Sequence, residues 1–428
     1  MSSGGMVLIA LSLLLIDSQQ SWPGALAALP VLGAMMVILG NWQRSRWVCD
    51  ERVQSIGRWS YSIYLWHWPI VVAMSYLELR NLFPWKVIGI VMAIGIGALS
   101  FRYIESNARK ALERMGQTAG SIALIGISSL SALLAAALYL ADGVPQREMP
   151  APARLADEER LNREHKPINE PECQRVMDGA LRACRYGNGP IGVIVLGDSH
   201  AIALVTAVAE SIAQRHASVL SWAFHACPTV LGVTHSNKSF MACSEFNRNA
   251  IDALKKDYPN VPLIVVNRWA AYINGPSSYE GGGRRFISFV AEESDSEFRD
   301  HFMDALESTT CELSRTGRRV FLVQPVPEMP FNVPKHMARR AMFSKKGHDV
   351  VLPLETYKER NANVFEALSR AKMRCGVELL DPALVLCTPQ GCMGSVNGRP
   401  IYYDDNHLSE FGNKLLVPMF RDVLAPQS

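Results

Sequence analysis

The segment Val193-Ile194-Val195-Leu196-Gly197-Asp198-Ser199-His200-Ala201 is the strongest indication of the fold of the second half of the chain. A short β-branched run stops at a Gly-Asp-Ser turn, and a helical pattern follows from Ala201 to Arg215. This order predicts a buried strand, a tight turn that carries a hydroxyl, and the N-terminus of a helix. Unpaired backbone N–H groups and the positive end of the helix dipole would stabilise an oxyanion that forms beside Ser199.

A second polar segment, Tyr403-Asp404-Asp405-Asn406-His407, lies near the C-terminus. An Asp three residues before a His can orient the imidazole, which can then take the proton of a serine hydroxyl. We therefore predict Ser199 as nucleophile, His407 as general base and Asp404 as the orienting carboxylate. Asp405 is the alternative orienting residue and is expected to face solvent. The alternative role of this segment is a surface turn that caps the following helix.

Strands and helices alternate after residue 171, which predicts an α/β domain of three layers with a parallel sheet. Ser199 would lie at the carboxyl end of a strand, where such sheets bind ligands. The predicted strands are Gly192–Leu196, Val219–Phe224, Val261–Val266, Arg319–Gln324 and Val377–Leu380. The predicted helices are Ala201–His216, Ser244–Asp257, Glu297–Arg315, Leu354–Met373 and Ser409–Leu424.

Before about residue 143 the chain is dominated by apolar runs, which predict a bundle of about five transmembrane helices. The alternatives are buried helices of a soluble protein and, for the first segment, a signal peptide. The last three segments are long enough to cross a bilayer, whereas the first is short. The segments are Gly4–Ile16, Gly24–Gly40, Ser60–Leu79, Trp85–Tyr103 and Gly120–Ala141.

Basic residues predict the orientation of this bundle in the membrane. The loops Asn41–Trp59 and Ser106–Thr118 carry several Arg and Lys residues and are therefore expected on the cytoplasmic side. Everything after Ala141 would then lie outside, in the periplasm if the membrane is a bacterial inner membrane. The formal net charge of the chain is only +3, so we expect no nucleic-acid partner.

Eight of the nine cysteines lie in the second half of the chain, which favours disulfides and an oxidising compartment. Proximity in the sequence suggests Cys173–Cys184, Cys227–Cys243 and Cys387–Cys392, which leaves Cys311–Cys375. The alternative for Cys387 and Cys392 is a zinc site, although no matching second pair is present and no metal motif is expected.

Residues 144–171 contain five prolines and two charged runs, and they predict a mostly extended periplasmic linker with one short helix. The domain organisation is therefore a membrane segment over 1–116, a linking transmembrane helix over 117–143, the linker over 144–171 and the α/β domain over 172–428.

The string Ser60-Tyr61-Ser62-Ile63-Tyr64-Leu65-Trp66-His67-Trp68-Pro69-Ile70 resembles a late-helix signature of the membrane acyltransferase-3 family. The segment Tyr103–Arg109 resembles the motif that follows in that family, with Asn107 where a proline is usual. The resemblance covers about residues 1–116 and implies an incomplete, C-terminal part of such a domain, because the early helices of the family have no counterpart. His67 is either part of an acyl-donor channel or an interfacial residue beside an aromatic belt.

The Gly197–His200 turn and the Asp404-x-x-His407 segment together resemble the first and last blocks of the SGNH hydrolase superfamily. By this resemblance the oxyanion hole uses the backbone N–H of Ser199 with Gly232 and Asn267 as further candidates, and Asn267 has a strand-end turn as its alternative. Trp269 and Tyr272 are candidates to line a sugar platform, with core packing as the alternative. Asp198 is expected to cap the next helix, and His200 to pack or hydrogen-bond nearby.

The two resemblances together imply a bacterial O-acetyltransferase of cell-surface polysaccharides. Ser199 would carry an acyl group, most simply acetyl, and pass it to an envelope glycan such as lipopolysaccharide O-antigen. The alternatives are a periplasmic acetyl esterase and a truncated, non-catalytic remnant. No cofactor motif is present, and the resemblance implies acetyl-coenzyme A as the ultimate acyl donor. The expected partners are the lipid bilayer, the acceptor glycan and a separate protein that supplies the missing acyltransferase helices.

Overall fold

The structure, a computed structural model, describes residues 2–16, 24–40, 50–77, 79, 82–141, 151–161, 183–235, 242–277, 287–290, 293–315, 317–343 and 349–424. The chain divides into two units, Met1–Glu148 and Met149–Ser428. Each unit is described by itself.

The first unit consists of helices. Phe83–Met115 and Gln117–Leu140 are long and apolar enough to cross a membrane, and two shorter helices are also apolar. The helices are α1 (Ser2–Leu15), α2 (Ala28–Leu39), α3 (Glu51–Tyr76), α4 (Phe83–Ser100), α5 (Ser106–Met115) and α6 (Gln117–Leu140). Helix α1 packs on α2, and α3 packs on α4. A π-helical turn, Phe101–Glu105, joins α4 to α5.

Both segments predicted as cytoplasmic loops contain helix. Residues 41–49 lie outside the described residues, but α3 already begins at Glu51, because the Asp50 carboxylate caps it by accepting the N–H groups of Arg52 and Val53. The segment Ser106–Thr118 is mostly α5, whose Ala, Leu, Arg and Lys residues favour helix. The loop prediction was therefore wrong for these stretches.

The second unit is built on a six-stranded sheet with the order β1-β3-β2-β5-β7-β9. These strands are β1 (Ala183–Tyr186), β2 (Ile191–Gly197), β3 (Ser218–Ala223), β5 (Leu263–Val266), β7 (Val320–Val323) and β9 (Glu378–Leu380). Five of them pair in parallel, as predicted, whereas β1 pairs antiparallel with β3 at one edge. Strand β1 was not predicted, because its residues mix polar and apolar types without a clear period.

Helices cover both faces of this sheet. The remaining helices are α7 (Ala151–Leu161), α8 (Ser199–Ile212), α9 (Cys243–Lys256), α10 (Trp269–Asn274), α11 (Asp295–Ser314), α12 (Val333–Phe343), α13 (Leu354–Cys375), α14 (Ala383–Leu386), α15 (Glu410–Lys414) and α16 (Val417–Leu424). Short strands β4 (Thr234–His235), β6 (Ile287–Ser288), β8 (Val351–Leu352), β10 (Cys387–Thr388), β11 (Gly391–Met393), β12 (Ser395–Val396) and β13 (Arg399–Pro400) form small antiparallel sheets.

Alternate residues of β2 belong to two separate apolar cores. Val193 and Val195 join the core that α8 and α16 cover, and Ile194 and Leu196 join the core that α9 and α11 cover. Because successive side chains of a strand point to opposite faces, this confirms the predicted three-layer arrangement. The predicted closing helix is divided into α15 and α16, since Pro418 lacks the N–H that a continuous helix would need.

The one short helix predicted in the linker is α7, and it packs on α12 of the second unit. Ala156 is fully buried in this contact, and Glu159 forms an ion pair with Arg399. This part of the linker is therefore a docked element rather than an extended tether. Residues 144–150 and 162–171 lie outside the described residues.

Three predicted disulfides are confirmed, namely Cys227–Cys243, Cys311–Cys375 and Cys387–Cys392. The zinc alternative for the last pair was therefore wrong. Cys184 is also disulfide-bonded, but its predicted partner Cys173 lies outside the described residues. Within the described ranges, no group of three or more His, Cys, Asp or Glu residues is placed to hold a metal.

Candidate active site

The turn between β2 and α8 places a serine at the start of a helix. Ser199 is the first residue of α8, and the Asp198 carboxylate caps the helix by accepting the His200 N–H at 2.8 Å. Gly197 is required here because a Cβ at this position would lie 1.8 Å from the Val266 carbonyl oxygen. The backbone N–H of Ser199 has no intrahelical acceptor, so it can donate to a developing oxyanion.

Asp198 also has a second role, because its other carboxylate oxygen links the end of β2 to residues that follow β5. Asp198 Oδ2 accepts the backbone N–H of Arg268 at 2.8 Å and the Tyr272 hydroxyl at 2.7 Å. Burial raises the pKa of the Asp198 carboxyl, while these hydrogen bonds oppose the rise. The predicted capping role is confirmed, and the same carboxylate fixes the nucleophile turn against the end of β5.

The structure brings Ser199, His407 and Asp404 into one hydrogen-bonded chain. His407 Nε2 lies 2.7 Å from Ser199 Oγ, and His407 Nδ1 lies 2.7 Å from Asp404 Oδ2. Asp404 Oδ1 accepts the backbone N–H of His407 at 2.7 Å and that of Asn406 at 2.9 Å. In this geometry the imidazole can take the serine proton while the carboxylate stabilises the imidazolium.

Asp404 remains ionised in this arrangement. Burial raises the pKa of its carboxyl, but the hydrogen bonds and charge of His407 and the Asn406 N–H outweigh burial, so the pKa lies below its ordinary value. Asp405, the alternative orienting residue, does not face solvent as predicted. It is only 8% exposed and accepts the side-chain N–H of Asn406 at 3.0 Å.

A second buried chain of polar groups lies behind the triad. His200 Nε2 is 3.0 Å from Asn406 Oδ1, and the His200 ring centroid is 4.7 Å from that of His407. Burial, followed by the charges of His407 and Arg268, holds the pKa of His200 well below its ordinary value. His200 is therefore neutral, which confirms the expectation that it packs and hydrogen-bonds nearby, and its Nε2–H donates to Asn406.

Tyr403 and Asn406 were not singled out from the sequence, although both contact triad residues. The Tyr403 ring stacks on His407 with an interplanar angle of 4° and a centroid distance of 5.2 Å. Their place beside His407 in the Tyr403–His407 segment was the available signal, because residues of one turn contact one another.

The oxyanion-hole candidates differ in what surrounds them. Asn267 is buried, its Oδ1 accepts the Thr229 N–H at 3.2 Å, and its Nδ2 donates to Thr229 Oγ1 at 3.0 Å. Gly232 has a φ of +85°, and Phe289 is the side chain nearest to where its Cβ would be. The roles of Asn267 and Gly232 stay predictions.

Trp269 and Tyr272 do not line a sugar platform in this structure. They are 0% and 2% exposed, and both belong to the apolar core on the α9 and α11 side. Trp269 Nε1 donates to the Val323 carbonyl oxygen, and the Tyr272 hydroxyl donates to Asp198. The platform prediction was wrong, and the alternative of core packing is confirmed, because each polar group is satisfied inside the protein.

In the first unit, the two acyltransferase-like motifs contact each other. Ser62 Oγ donates to Glu105 Oε2 at 2.7 Å, and Arg109 donates to Glu105 Oε1 at 2.7 Å. His67 is half-buried, its Nδ1 lies 2.5 Å from the Tyr64 carbonyl oxygen, and it lines a cleft of about 530 Å³ between α3 and α4. Both interpretations of His67 remain open.

Comparison with known families identifies both units. The family described as "SGNH domain (fused to AT3 domains)" matches residues 162–422, and an acyltransferase domain matches residues 1–103. Because the first match covers more than half of the chain, the protein belongs to the family of SGNH domains that are fused to acyltransferase domains. Both resemblances drawn from the sequence motifs are confirmed.

One solved structure similar to the chain is the lipopolysaccharide acetyltransferase periplasmic domain of Salmonella ser. Paratyphi A. The two share 17% sequence identity, the match covers 64% of this chain and 97% of that chain, and the TM-score is 0.45. No curated protein matches the chain.

Proposed function

We propose that this protein is a membrane-anchored O-acyltransferase that uses Ser199 to transfer an acyl group, acetyl in the simplest case, to a hydroxyl of an envelope polysaccharide such as lipopolysaccharide O-antigen. The observation that carries the proposal is the unbroken hydrogen-bonded chain from Ser199 through His407 to Asp404, with 2.7 Å at each step. Membership in a family of SGNH domains fused to acyltransferase domains supports transfer as the reaction.

This geometry supports a reaction in two steps, acylation of Ser199 and transfer of the acyl group to the glycan. Ser199 gives its proton to His407 Nε2 and attacks the acyl carbonyl, and the tetrahedral oxyanion is stabilised at the N-terminus of α8. The leaving group departs with the proton from His407, which leaves an acyl-serine ester. A glycan hydroxyl then gives its proton to His407 and attacks that ester, after which His407 returns the proton to Ser199.

The setting of the reaction is also part of the proposal. About five helices of the first unit cross a bacterial inner membrane, with the basic residues of α5 on the cytoplasmic side. The disulfides of the second unit are consistent with the periplasm. Acetyl-coenzyme A as the ultimate acyl donor stays a prediction from the family resemblance.

A second candidate function is an acetyl esterase, and the exposure of the triad favours it. The side chains of His407 and Asp404 are 16% and 26% exposed, so water has access to the site. Water would then hydrolyse the same acyl-serine. Whether the enzyme hydrolyses or transfers the acyl group depends on how well the site excludes water and binds the acceptor.

The test uses the full chain in lipid nanodiscs with p-nitrophenyl acetate as acyl donor. Ser199→Ala is expected to lower turnover at least a thousandfold, because the nucleophile is lost. Ser369→Ala, at an exposed position of α13, is the matched control and should keep wild-type turnover. Unchanged turnover in Ser199→Ala would overturn both candidate functions.

Adding purified O-antigen polysaccharide separates the two candidates. A transferase should release less acetate and yield acetylated glycan, which mass spectrometry detects as an added acetyl group. Unaltered acetate release with no acetylated glycan would support the esterase and contradict the transferase.

A further inference from the structure

The triad combines residues from two distant parts of the second unit, and the hydrogen bond between them is lost during the proposed reaction. Ser199 and His407 are 208 residues apart in sequence and are joined at 2.7 Å through the serine hydroxyl. Once an acyl group occupies Ser199 Oγ, that oxygen carries no proton and cannot donate to His407. His407 must still stay beside the ester, because in the second step it takes the proton of the acceptor. Other contacts must therefore hold it there.

Residues 324–332, between β7 and α12, border the loop that carries His407. We call them the β7–α12 segment, and we call residues 402–407 the triad loop. Three hydrogen bonds link the triad loop to this segment and to the start of α12. They run from the Tyr402 hydroxyl to the Pro327 carbonyl oxygen at 2.9 Å, from the Met329 N–H to the Asp405 carbonyl oxygen at 2.6 Å, and from the Val333 N–H to the Asp404 carbonyl oxygen at 3.0 Å. The position of the triad loop therefore depends on that of the β7–α12 segment.

Glu328, in the middle of the β7–α12 segment, connects it to the nucleophile turn. Glu328 Oε1 accepts the Nε–H of Arg268 at 2.9 Å. Arg268 lies just after β5, and its backbone N–H donates at 2.8 Å to Asp198, the residue before Ser199. Arg268 thus binds the nucleophile turn through its backbone and the β7–α12 segment through its side chain. These contacts do not involve the Ser199 hydroxyl, so acylation leaves them intact.

The Arg268–Glu328 ion pair is shielded from water, since the two side chains are 13% and 6% exposed. Water screens an exposed ion pair, whereas a buried pair is costly to break because one charge is left without a partner. Arg360 of α13 donates through Nε to the other carboxylate oxygen, Glu328 Oε2, at 3.2 Å. Because both oxygens are bound, the Glu328 carboxylate is held in one orientation toward Arg268.

We infer that Arg268 and Glu328 are positioning residues that keep His407 beside the acyl ester on Ser199 while the acceptor attacks. The pair connects the nucleophile turn to the triad loop at the stage when the Ser199–His407 hydrogen bond is absent. This inference rests on the acyl-serine of the proposed function, and it applies whether the acceptor is a glycan or water. Breaking the pair should therefore slow the removal of the acyl group more than its arrival.

The first test follows turnover of p-nitrophenyl acetate by the full chain in nanodiscs. Mass spectrometry of the acid-quenched Ser199 peptide measures the fraction that carries acetyl. Glu328→Gln should lower kcat by about ten- to a hundredfold, the effect of displacing a catalytic group by about 1 Å. The acetylated fraction should stay equal or rise, because the second step is the one that is slowed. An unchanged kcat, or a lower kcat with a smaller acetylated fraction, would overturn the inference.

Glu378→Gln is the matched control for the loss of a carboxylate that pairs with an arginine. It removes the 3.0 Å ion pair with Arg319, which lies at the amino ends of β7 and β9. In a parallel sheet this edge is opposite the carboxyl ends, where Ser199 lies. The kcat and the acetylated fraction of Glu378→Gln should equal those of the wild type.

Arg268→Gln should reproduce the losses of Glu328→Gln, and it keeps the test valid if that variant fails to fold. The double variant Arg268→Gln/Glu328→Gln should lose no more kcat than the more affected single variant, because both changes remove the same contact. Losses that multiply would show two independent roles and overturn the inference.

Hydrogen–deuterium exchange tests the positioning without any turnover. In a Ser199→Ala background, Glu328→Gln should speed the exchange of the Met329 and Val333 amides severalfold, because these amides donate to the triad loop. Unchanged exchange would overturn the inference. Turnover that requires Ser199, with wild-type kcat in Glu328→Gln, contradicts only the positioning role. Turnover independent of Ser199 contradicts the proposed function, and exchange alone then decides whether the pair positions the triad loop.

Discussion

Two adjacent aspartates behave differently at the candidate site because their oxygens have different partners. Asp404 directs one oxygen to the His407 ring and the other to two backbone N–H groups, which fixes both the carboxylate and the imidazole tautomer. Asp405 contacts Asn406, which in turn contacts His200. Asp404 therefore contacts the His407 imidazole directly, whereas Asp405 contacts the surrounding loop.

This difference predicts the kinetics of two isosteric variants. Asp404→Asn should lower kcat for p-nitrophenyl acetate by about a thousand- to ten-thousandfold, because the amide favours the wrong tautomer of His407. Asp405→Asn keeps the Asp404–His407 contact, so its kcat should fall far less than that of Asp404→Asn. Steady-state kinetics of both variants measures this, and an equal or larger loss in Asp405→Asn would assign the orienting role to Asp405.

His200 makes the stability of the second unit depend on pH. Its pKa in the folded chain lies well below the ordinary value because it is buried beside His407 and Arg268. Below about pH 6.5 an unfolded histidine binds a proton that the folded one does not. Stability contributed by neutral His200 is thus fully present above that pH and is lost as the pH falls toward the folded-state pKa, by at most about 1.4 kcal/mol per pH unit for one proton.

The variant His200→Gln should flatten this dependence, since Gln does not titrate and can still donate to Asn406. Melting temperatures followed by tryptophan fluorescence are expected to fall more steeply for the wild type than for the variant between pH 6.5 and pH 5. Above pH 7.5 the difference between the two proteins should stay constant. Parallel curves over the whole range would show that His200 is not the group responsible.

Among the secondary-structure elements, the strands with continuous apolar runs were predicted correctly. All four residues of β5 and of β7 are buried, and runs of this kind are typical of central parallel strands. Elements whose formation depends on tertiary contacts were missed. Helix α10, at Trp269–Asn274, and helix α12, at Val333–Phe343, lack a period long enough to be read from the sequence alone.

The confirmed disulfides differ in how much chain they close, and this predicts their relative effect. Cys311–Cys375 joins α11 to α13 across a separation of 64 residues, whereas Cys387–Cys392 spans 5. Loop-closure entropy gives about 4 kcal/mol for the first and about 2 kcal/mol for the second. The double variant Cys311→Ala/Cys375→Ala should therefore melt at a clearly lower temperature than Cys387→Ala/Cys392→Ala in differential scanning fluorimetry. The reverse order would contradict the entropic argument.

At the scale of the whole molecule, the triad could be predicted because the strand–turn–helix and Asp-x-x-His patterns are local. What could not be predicted depends on contacts between distant segments. The burial of Trp269 and Tyr272 follows from their packing under the sheet and their bonds to Val323 and Asp198. Arg360 of α13 forms an ion pair with Glu328 in the segment after β7, and no local pattern indicates that these two segments meet.

The proposed topology can be tested by cysteine labelling, because it places α5 and Ser199 on opposite sides of the membrane. Arg109, Lys110 and Arg114 of α5 should stay in the cytoplasm, so the exposed Thr118 near them should also face inward. In a Cys49→Ser background, a membrane-impermeant maleimide should label Ser369→Cys in intact bacterial spheroplasts but Thr118→Cys only after permeabilisation. The unsubstituted background protein measures labelling of the native cysteines. Labelling of Thr118→Cys in intact spheroplasts would contradict the orientation and, with it, the proposal that Ser199 works outside the membrane.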